Sequence, residues 1–180
     1  MAAELFAGAG FAGVTVDEIG AAAGVSGPAL YYHFQSKEAL LGEMLVAISE
    51  RLLQRARSTV DEAPDPRQAL ARLIIDHVEF AVDNRALITV HFRDLVHAPA
   101  ADQARVRRLQ GRYVEEWVEV LARERPSAVD RPLLRAAVHA VLGLLNSTPF
   151  SSRVGRDEMI ALLTAMAQRA LDDHAPHNGA

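Results

Sequence analysis

Apolar residues recur three or four positions apart along almost the whole of this 180-residue chain, and no stretch alternates apolar with polar residues as a half-buried strand would. An all-α fold follows. The clearest run is Leu40, Leu41, Met44, Leu45, Ile48, Leu52, which keeps a helical period from a start at Ser36 to about Asp61. The Ala63-Pro-Asp-Pro66 segment, Pro126 and the loop 147–152 interrupt the pattern. Between these breaks the spacing predicts helices over about 67–83, 86–97, 100–124, 132–146 and 157–173, and three shorter ones precede the long run, about nine in all.

Composition narrows the class. The chain has no cysteine, which excludes a disulfide scaffold, a thiol nucleophile and a thiolate metal site. Half of it is apolar, too much for intrinsic disorder, yet no run approaches the roughly 18 residues of a membrane helix. A cytoplasmic protein with no membrane partner is expected. The formal charge of −4 gives no sign of a polyanion binder. Of the 19 basic residues only Lys37 is a lysine. No Gly-rich phosphate loop, nucleophile elbow or His-Glu-x-x-His helix occurs, so neither catalysis, a cofactor nor a metal is expected. His91, Asp94 and His97 stand at i, i+3, i+6, but the outer two diverge by most of a turn.

The front of the chain is more specific. Residues 1–10 read as the end of an amphipathic helix anchored by Leu5 and Phe6. Thr15 and Glu18 form a Thr-x-x-Glu capping box that opens a short helix running out at Gly24. Ser26 then caps another, with Pro28 in its first turn and an end near Phe34. Two short helices around the corner Gly24-Val25-Ser26 have the layout of a helix-turn-helix. Gly20 permits close crossing, Gly24 permits positive φ, and Ile19, Val25, Leu30 and Phe34 are expected as the small core. The second helix then presents Gly27, Pro28, Ala29, Tyr31, Tyr32 and His33 at or near its outer face. Hydroxyls and an imidazole suit phosphates, and small apolar groups suit thymine methyls.

The stretch AAELFAGAGFAGVTVDEIGAAAGVSGPALYYHFQSKEALL closely resembles the N-terminal signature of TetR-family transcriptional regulators. The matching pieces include Leu5-Phe6, Gly10-Phe11, Thr15-Val16, Ile19, Ala23-Gly24-Val25-Ser26, Leu30-Tyr31-Tyr32-His33-Phe34 and Ser36-Lys37-Glu38-Ala39-Leu40-Leu41. The resemblance implies that Thr15 and Lys37 are phosphate clamps and that Tyr31 and His33 contact the backbone. It also implies that Gly27, Pro28, Ala29 and Tyr32 face base edges. Bidentate readout by Gly, Pro or Ala is impossible, so specificity would rest on van der Waals contact, Tyr32 and DNA shape. Two departures stand out. Met1 falls inside the family's first helix, so a start internal to a longer gene product, or a trimmed chain, is expected. Residues 1–50 also carry one basic residue against six acidic ones, a formal −5 that weakens the grip on phosphate.

The resemblance further implies a dimeric, ligand-responsive repressor with a head at 1–46, a ligand-binding and dimerisation domain at 47–174, and a tail at 175–180. A long helix joins the head to the helical bundle. The family's middle helices enclose an effector site. Here the candidate lining is His77 and Phe80, Leu87, His91 and Phe92, the stripe Leu109, Tyr113, Trp117, and His139 with Asn146. An apolar or amphipathic effector fits that mixture. The last two helices offer Leu134, Ala137, Val141 and Leu145, then Met159, Leu163 and Met166, as the interface with a second copy, while Ala136, Ala137, Ala140 and Gly143 permit close approach. A homodimer on a palindromic operator in double-stranded DNA would place recognition helices roughly 34–36 Å apart. An effector would act through its preference for the non-binding spacing. Two rivals are a helical ligand-sequestering dimer without effective DNA binding and an all-α enzyme around His77, His91 and His139.

Overall fold

The computed structural model describes residues 1–124, 130–151 and 154–172, and all regular structure among them is helical. The helices are α1 (Ala2–Ala9), α2 (Val16–Ala23), α3 (Gly27–His33), α4 (Lys37–Glu62), α5 (Pro66–Asp83), α6 (Arg85–Asp94), α7 (Ala100–Glu124), α8 (Arg131–Leu145) and α9 (Arg156–Asp172). Short 3-10 turns follow α6 (Leu95–His97) and α8 (Thr148–Phe150). Pro126 and the tail expected at 175–180 lie outside the described residues.

The chain divides into two compact units. The first comprises Met1–Arg51 and Asn84–Leu109, the second Leu52–Asp83 and the described residues from Gln110 onward. In the first, α1, α2, α3 and the start of α4 close over Phe6, Phe11, Val14, Ile19, Leu30, Leu41 and Leu45. Val90, Ala98 and Val106 from the second segment share that core, and α1 packs along α6. Asp94 is buried and grips Arg93 through both carboxylate oxygens, at 2.9 Å each. The same guanidinium donates to the carbonyls of Phe6 and Ala7 at the end of α1. Asn84–Leu109 is thus tied to the head by core packing and by a cation on the negative end of a helix.

In the second unit α5 packs on α8 and α9, and α8 on α9. Leu73, Ile74, Val78, Trp117, Leu121, Val138, Leu145, Leu163 and Leu171 are buried there. The Thr148 hydroxyl donates to Ala81 O at 2.8 Å, so a buried polar group is satisfied. Arg55 and Thr59 of α4 both bond the Asp76 carboxylate of α5, and Arg156 pairs bidentately with Asp83.

Candidate nucleic-acid interface

The capping box at α2 forms. The Thr15 hydroxyl accepts the Glu18 N–H at 3.2 Å, and the Glu18 carboxylate accepts the Thr15 N–H at 2.7 Å. The bond from the Thr15 N–H, and then one the Thr15 hydroxyl donates to the same carboxylate at 2.8 Å, hold the Glu18 carboxyl below the ordinary carboxylate range. Gly24 turns the chain with φ 72°, a left-handed geometry that suits glycine. Ser26 then caps α3 by accepting from Ala29 N at 3.3 Å. Ile19 and Leu30 are buried and Phe34 packs against the core. Val25 does not join them: it is 45% exposed, a correction to the expected small core. Its N–H donates to Gly20 O at 2.9 Å, so the corner holds Val25 through its backbone and not through a buried side chain.

The aromatic face of α3 is open. Tyr32 is 87% and Tyr31 56% exposed, and Pro28, Ala29 and His33 are exposed beside them. Such exposure of large rings on a capped, well-packed helix is unusual for a surface with no partner. Gly27 differs from the expected outer-face position. It is buried, and a Cβ there would overlap the Asp17 carboxylate. Thr15 and Ser26 are exposed but spend hydroxyls on caps. Lys37 is half-buried and its ammonium donates to Phe11 O at 2.8 Å and Val14 O at 2.7 Å.

The residues expected around an effector separate into groups. His77, Phe80, Tyr113, Trp117 and Asn146 come together in the second unit. His77 is buried, with Nδ1 2.8 Å from the Tyr113 hydroxyl and Nε2 3.2 Å from Asn146 Oδ1. Its ring meets Phe80 and stands edge-on to Trp117. Burial pulls the His77 pKa down to about 4 and pushes the Tyr113 hydroxyl up, so both are neutral. Leu87, His91 and Leu109 belong to the first unit, while Phe92 and His139 are exposed. A surface cleft of about 260 Å³ between α4 and α5 is lined by Arg55, Thr59, Glu62, Arg72, Ile75 and Asp76, none of them an expected pocket residue.

The expected interface residues also separate. Leu134, Ala137, Val141, Leu145, Met159 and Leu163 are buried within this single chain, and only Met166 is open. Side chains already packed in their own core cannot face a second copy. What α8 and α9 leave uncovered is a different apolar strip: Leu133, Ala136, Ala140 and Gly143 on one, Leu162 and Met166 on the other. Spacing of i, i+3, i+7, i+10 on α8 carried that signal. Nothing local in the sequence marks the tie from Arg93 to the carbonyls of Ala7 and Phe6, 86 and 87 positions away.

Comparison with known proteins adds an independent finding. Residues 1–44 match the family described as bacterial regulatory proteins, tetR family, and residues 63–150 match the tetracyclin repressor-like C-terminal domain. The HTH-type transcriptional repressor KstR2 of Mycobacterium tuberculosis is 32% identical over 67% of this chain and 61% of its own length. The matched stretch thus spans about three-fifths of that relative. KstR2 of Mycolicibacterium smegmatis is 28% identical over 97% of this chain and 91% of the relative. Among solved structures, the TetR-family regulator PfmR from Thermus thermophilus superposes with a TM-score of 0.80 at 26% identity, covering 95% of this chain and 94% of that one. A TetR-family regulator from Bordetella parapertussis gives 0.81 at 24% identity over 99% and 94%.

Proposed function

The chain belongs to the TetR family of bacterial regulatory proteins, which are transcriptional regulators and not enzymes, and from that premise we propose that it represses transcription as a homodimer on a palindromic DNA site. The observation that carries this reading is the open aromatic face of α3, with Tyr32 87% exposed on a helix fixed by the Ser26 cap and the buried Leu30. Tyr31 and His33 contact phosphates, and Tyr32, Pro28 and Ala29 meet base edges in the major groove. Thr15 adds a phosphate contact at the start of α2. The named repressors among its relatives support repression over activation.

A second copy of the chain covers the strip on α8 and α9, where small Ala136, Ala140 and Gly143 let helices approach closely. The neutral chain Asn146–His77–Tyr113 beside Phe80 and Trp117 lines the effector site, and suits a small apolar or amphipathic molecule with one or two neutral polar groups. The domain division at 46/47, with effector binding and dimerisation beyond it, is part of the same reading.

Titration of a labelled random-sequence duplex at low salt tests the interface. Wild type is expected to bind with a salt dependence shallow for a DNA-binding protein, since the named contacts bring no lysine or arginine to phosphate, and the Tyr31→Ala/Tyr32→Ala variant to lose about tenfold or more in affinity, as removal of two contact side chains implies. Equal binding by the two would overturn it. One observation favours a second reading: residues 1–50 carry a formal −5 and their single lysine is engaged internally. A ligand-sequestering dimer without effective DNA binding fits that charge, and would show no salt-sensitive binding.

A further inference from the structure

Lys37 is the chain's one lysine and stands where α4 begins. Its ammonium points inward. Two of its three donors close on Phe11 O and Val14 O, at 2.8 and 2.7 Å, and the nitrogen lies 4.4 Å from the centre of the Phe11 ring. The Val14 carbonyl belongs to the same peptide group as the Thr15 N–H, which donates to Glu18 Oε2 at 2.7 Å. That peptide is therefore pinned at its oxygen by a cation and at its nitrogen by a carboxylate. Thr15 is the N-cap of α2, so the pinned unit sets where α2 starts and how the α2–α3 pair is directed. The Phe11 ring is itself held, stacked on His97 at 4.7 Å and on Phe6 at 5.7 Å. Arg93 treats the preceding carbonyls alike, donating to Phe6 and Ala7. The segment 6–14 thus receives two cations on four of its carbonyls.

We propose that Lys37 is a positioning residue for DNA recognition: it locks the α1–α2 turn to the start of α4 and orients the α2 N-terminus, and does not contact phosphate. The proposal rests on the DNA-binding reading, and departs from the phosphate-clamp role that the family resemblance implied. A clamp needs an ammonium free to leave the protein surface. One donor is left over, but two carbonyls and a ring face hold the nitrogen over the α1–α2 turn, and swinging it out to a phosphate would leave both acceptors to water.

Because no other lysine is present, amine acetylation reads this side chain directly. The 180-residue chain is treated with sulfo-N-hydroxysuccinimide acetate, alone and with a saturating random-sequence duplex, and acetylation at Lys37 is followed by mass spectrometry against a peptide of residues 34–41. Expected is reaction about tenfold or more slower than in the peptide, since the amine must leave charge-assisted hydrogen bonds to react, and a rate unchanged by duplex. The second arm compares Lys37→Gln with wild type across a salt series. A positioning role lowers affinity and leaves the slope of log K against log salt where it was. A phosphate contact takes about 0.9 per head from that slope. Rapid acetylation in the free protein, protection by duplex, or a slope reduced by that amount would overturn the proposal. Absence of duplex binding by wild type would count against the DNA reading instead, while the free-protein rate would still decide whether Lys37 is engaged.

Discussion

Gly20 and Val25 meet backbone to backbone: the Val25 N–H donates to Gly20 O at 2.9 Å, and a Cβ on Gly20 would stand 2.9 Å from Val25 O. The same Cβ would come within 3.2 Å of Gly27 N. The obstacles are backbone, so they give way only if α2 and α3 part. Gly20→Ala is expected to destabilise the head by about 1–3 kcal/mol, in the range of overpacked core positions. Gly27→Ala is expected to cost less, because its obstacle is the end of the exposed Asp17 side chain, which can swing aside. Thermal melts of the two variants, with duplex binding alongside, check the order.

His77 makes stability depend on pH. Burial disfavours the charged ring, and in the neutral one Nε2–H donates to Asn146 Oδ1 while Nδ1 accepts from the Tyr113 hydroxyl. The folded pKa of about 4 lies below the unfolded value near 6.5, so the unfolded chain takes up the proton first. Stability is therefore fully present above about pH 6.5, falls as pH drops toward 4, and loses on the order of 3 kcal/mol from this group. Urea midpoints read through Trp117, the chain's one tryptophan, are expected to follow that course. His77→Gln is expected to flatten it.

Cap residues made the front of the fold legible. Thr15, Glu18, Gly24 and Ser26 announce helix ends through local chemistry, and each does in the structure what its type implies. The outward face of α3 followed from the same spacing. Lys37, Gly27 and Val25 escaped, because their surroundings come from Phe11, Asp17 and Gly20 and are set by tertiary packing. On α8 the limit was different. Apolar residues on nearly every side hide which face meets its own core, so Leu134, Ala137, Val141 and Leu145 read as well for an interface as the uncovered Leu133, Ala136, Ala140 and Gly143. Asp94 and Arg93 are adjacent charges, which a periodicity reading takes for solvated surface; burial of the carboxylate is visible only in three dimensions.

Neighbouring leucines on α9 separate folding from association. Leu163 is buried and Leu162 half open. Leu163→Ala is expected to cost about 2–5 kcal/mol of folding stability, as large-to-small core changes do. Leu162→Arg is expected to leave the melting behaviour of the isolated chain nearly intact and to dissociate the dimer. Sedimentation velocity at matched concentration distinguishes the two effects, and a Leu162→Arg dimer of undiminished affinity would place the interface elsewhere.

Removing Arg93 leaves the Asp94 carboxylate buried without its cation and exposes the end of α1. Arg93→Ala is expected to cost about 1–3 kcal/mol, the order for a buried acceptor left without its hydrogen-bond partner, since Asp94 is buried but the guanidinium is 44% exposed. The Arg93→Met/Asp94→Leu double variant is expected to lose less than Arg93→Ala alone, since no orphaned charge remains. Denaturant unfolding of both, measured in one buffer, shows whether the costs fail to add in that direction.

Selection of duplexes from a random-sequence library by the 180-residue chain tests the central claim most directly. The account predicts an enriched palindrome whose half-sites lie about one helical turn apart, lost when Tyr31 and Tyr32 are both alanine. Repeated selection that enriches no sequence, or enriches the same sequences with and without the two tyrosines, would contradict it.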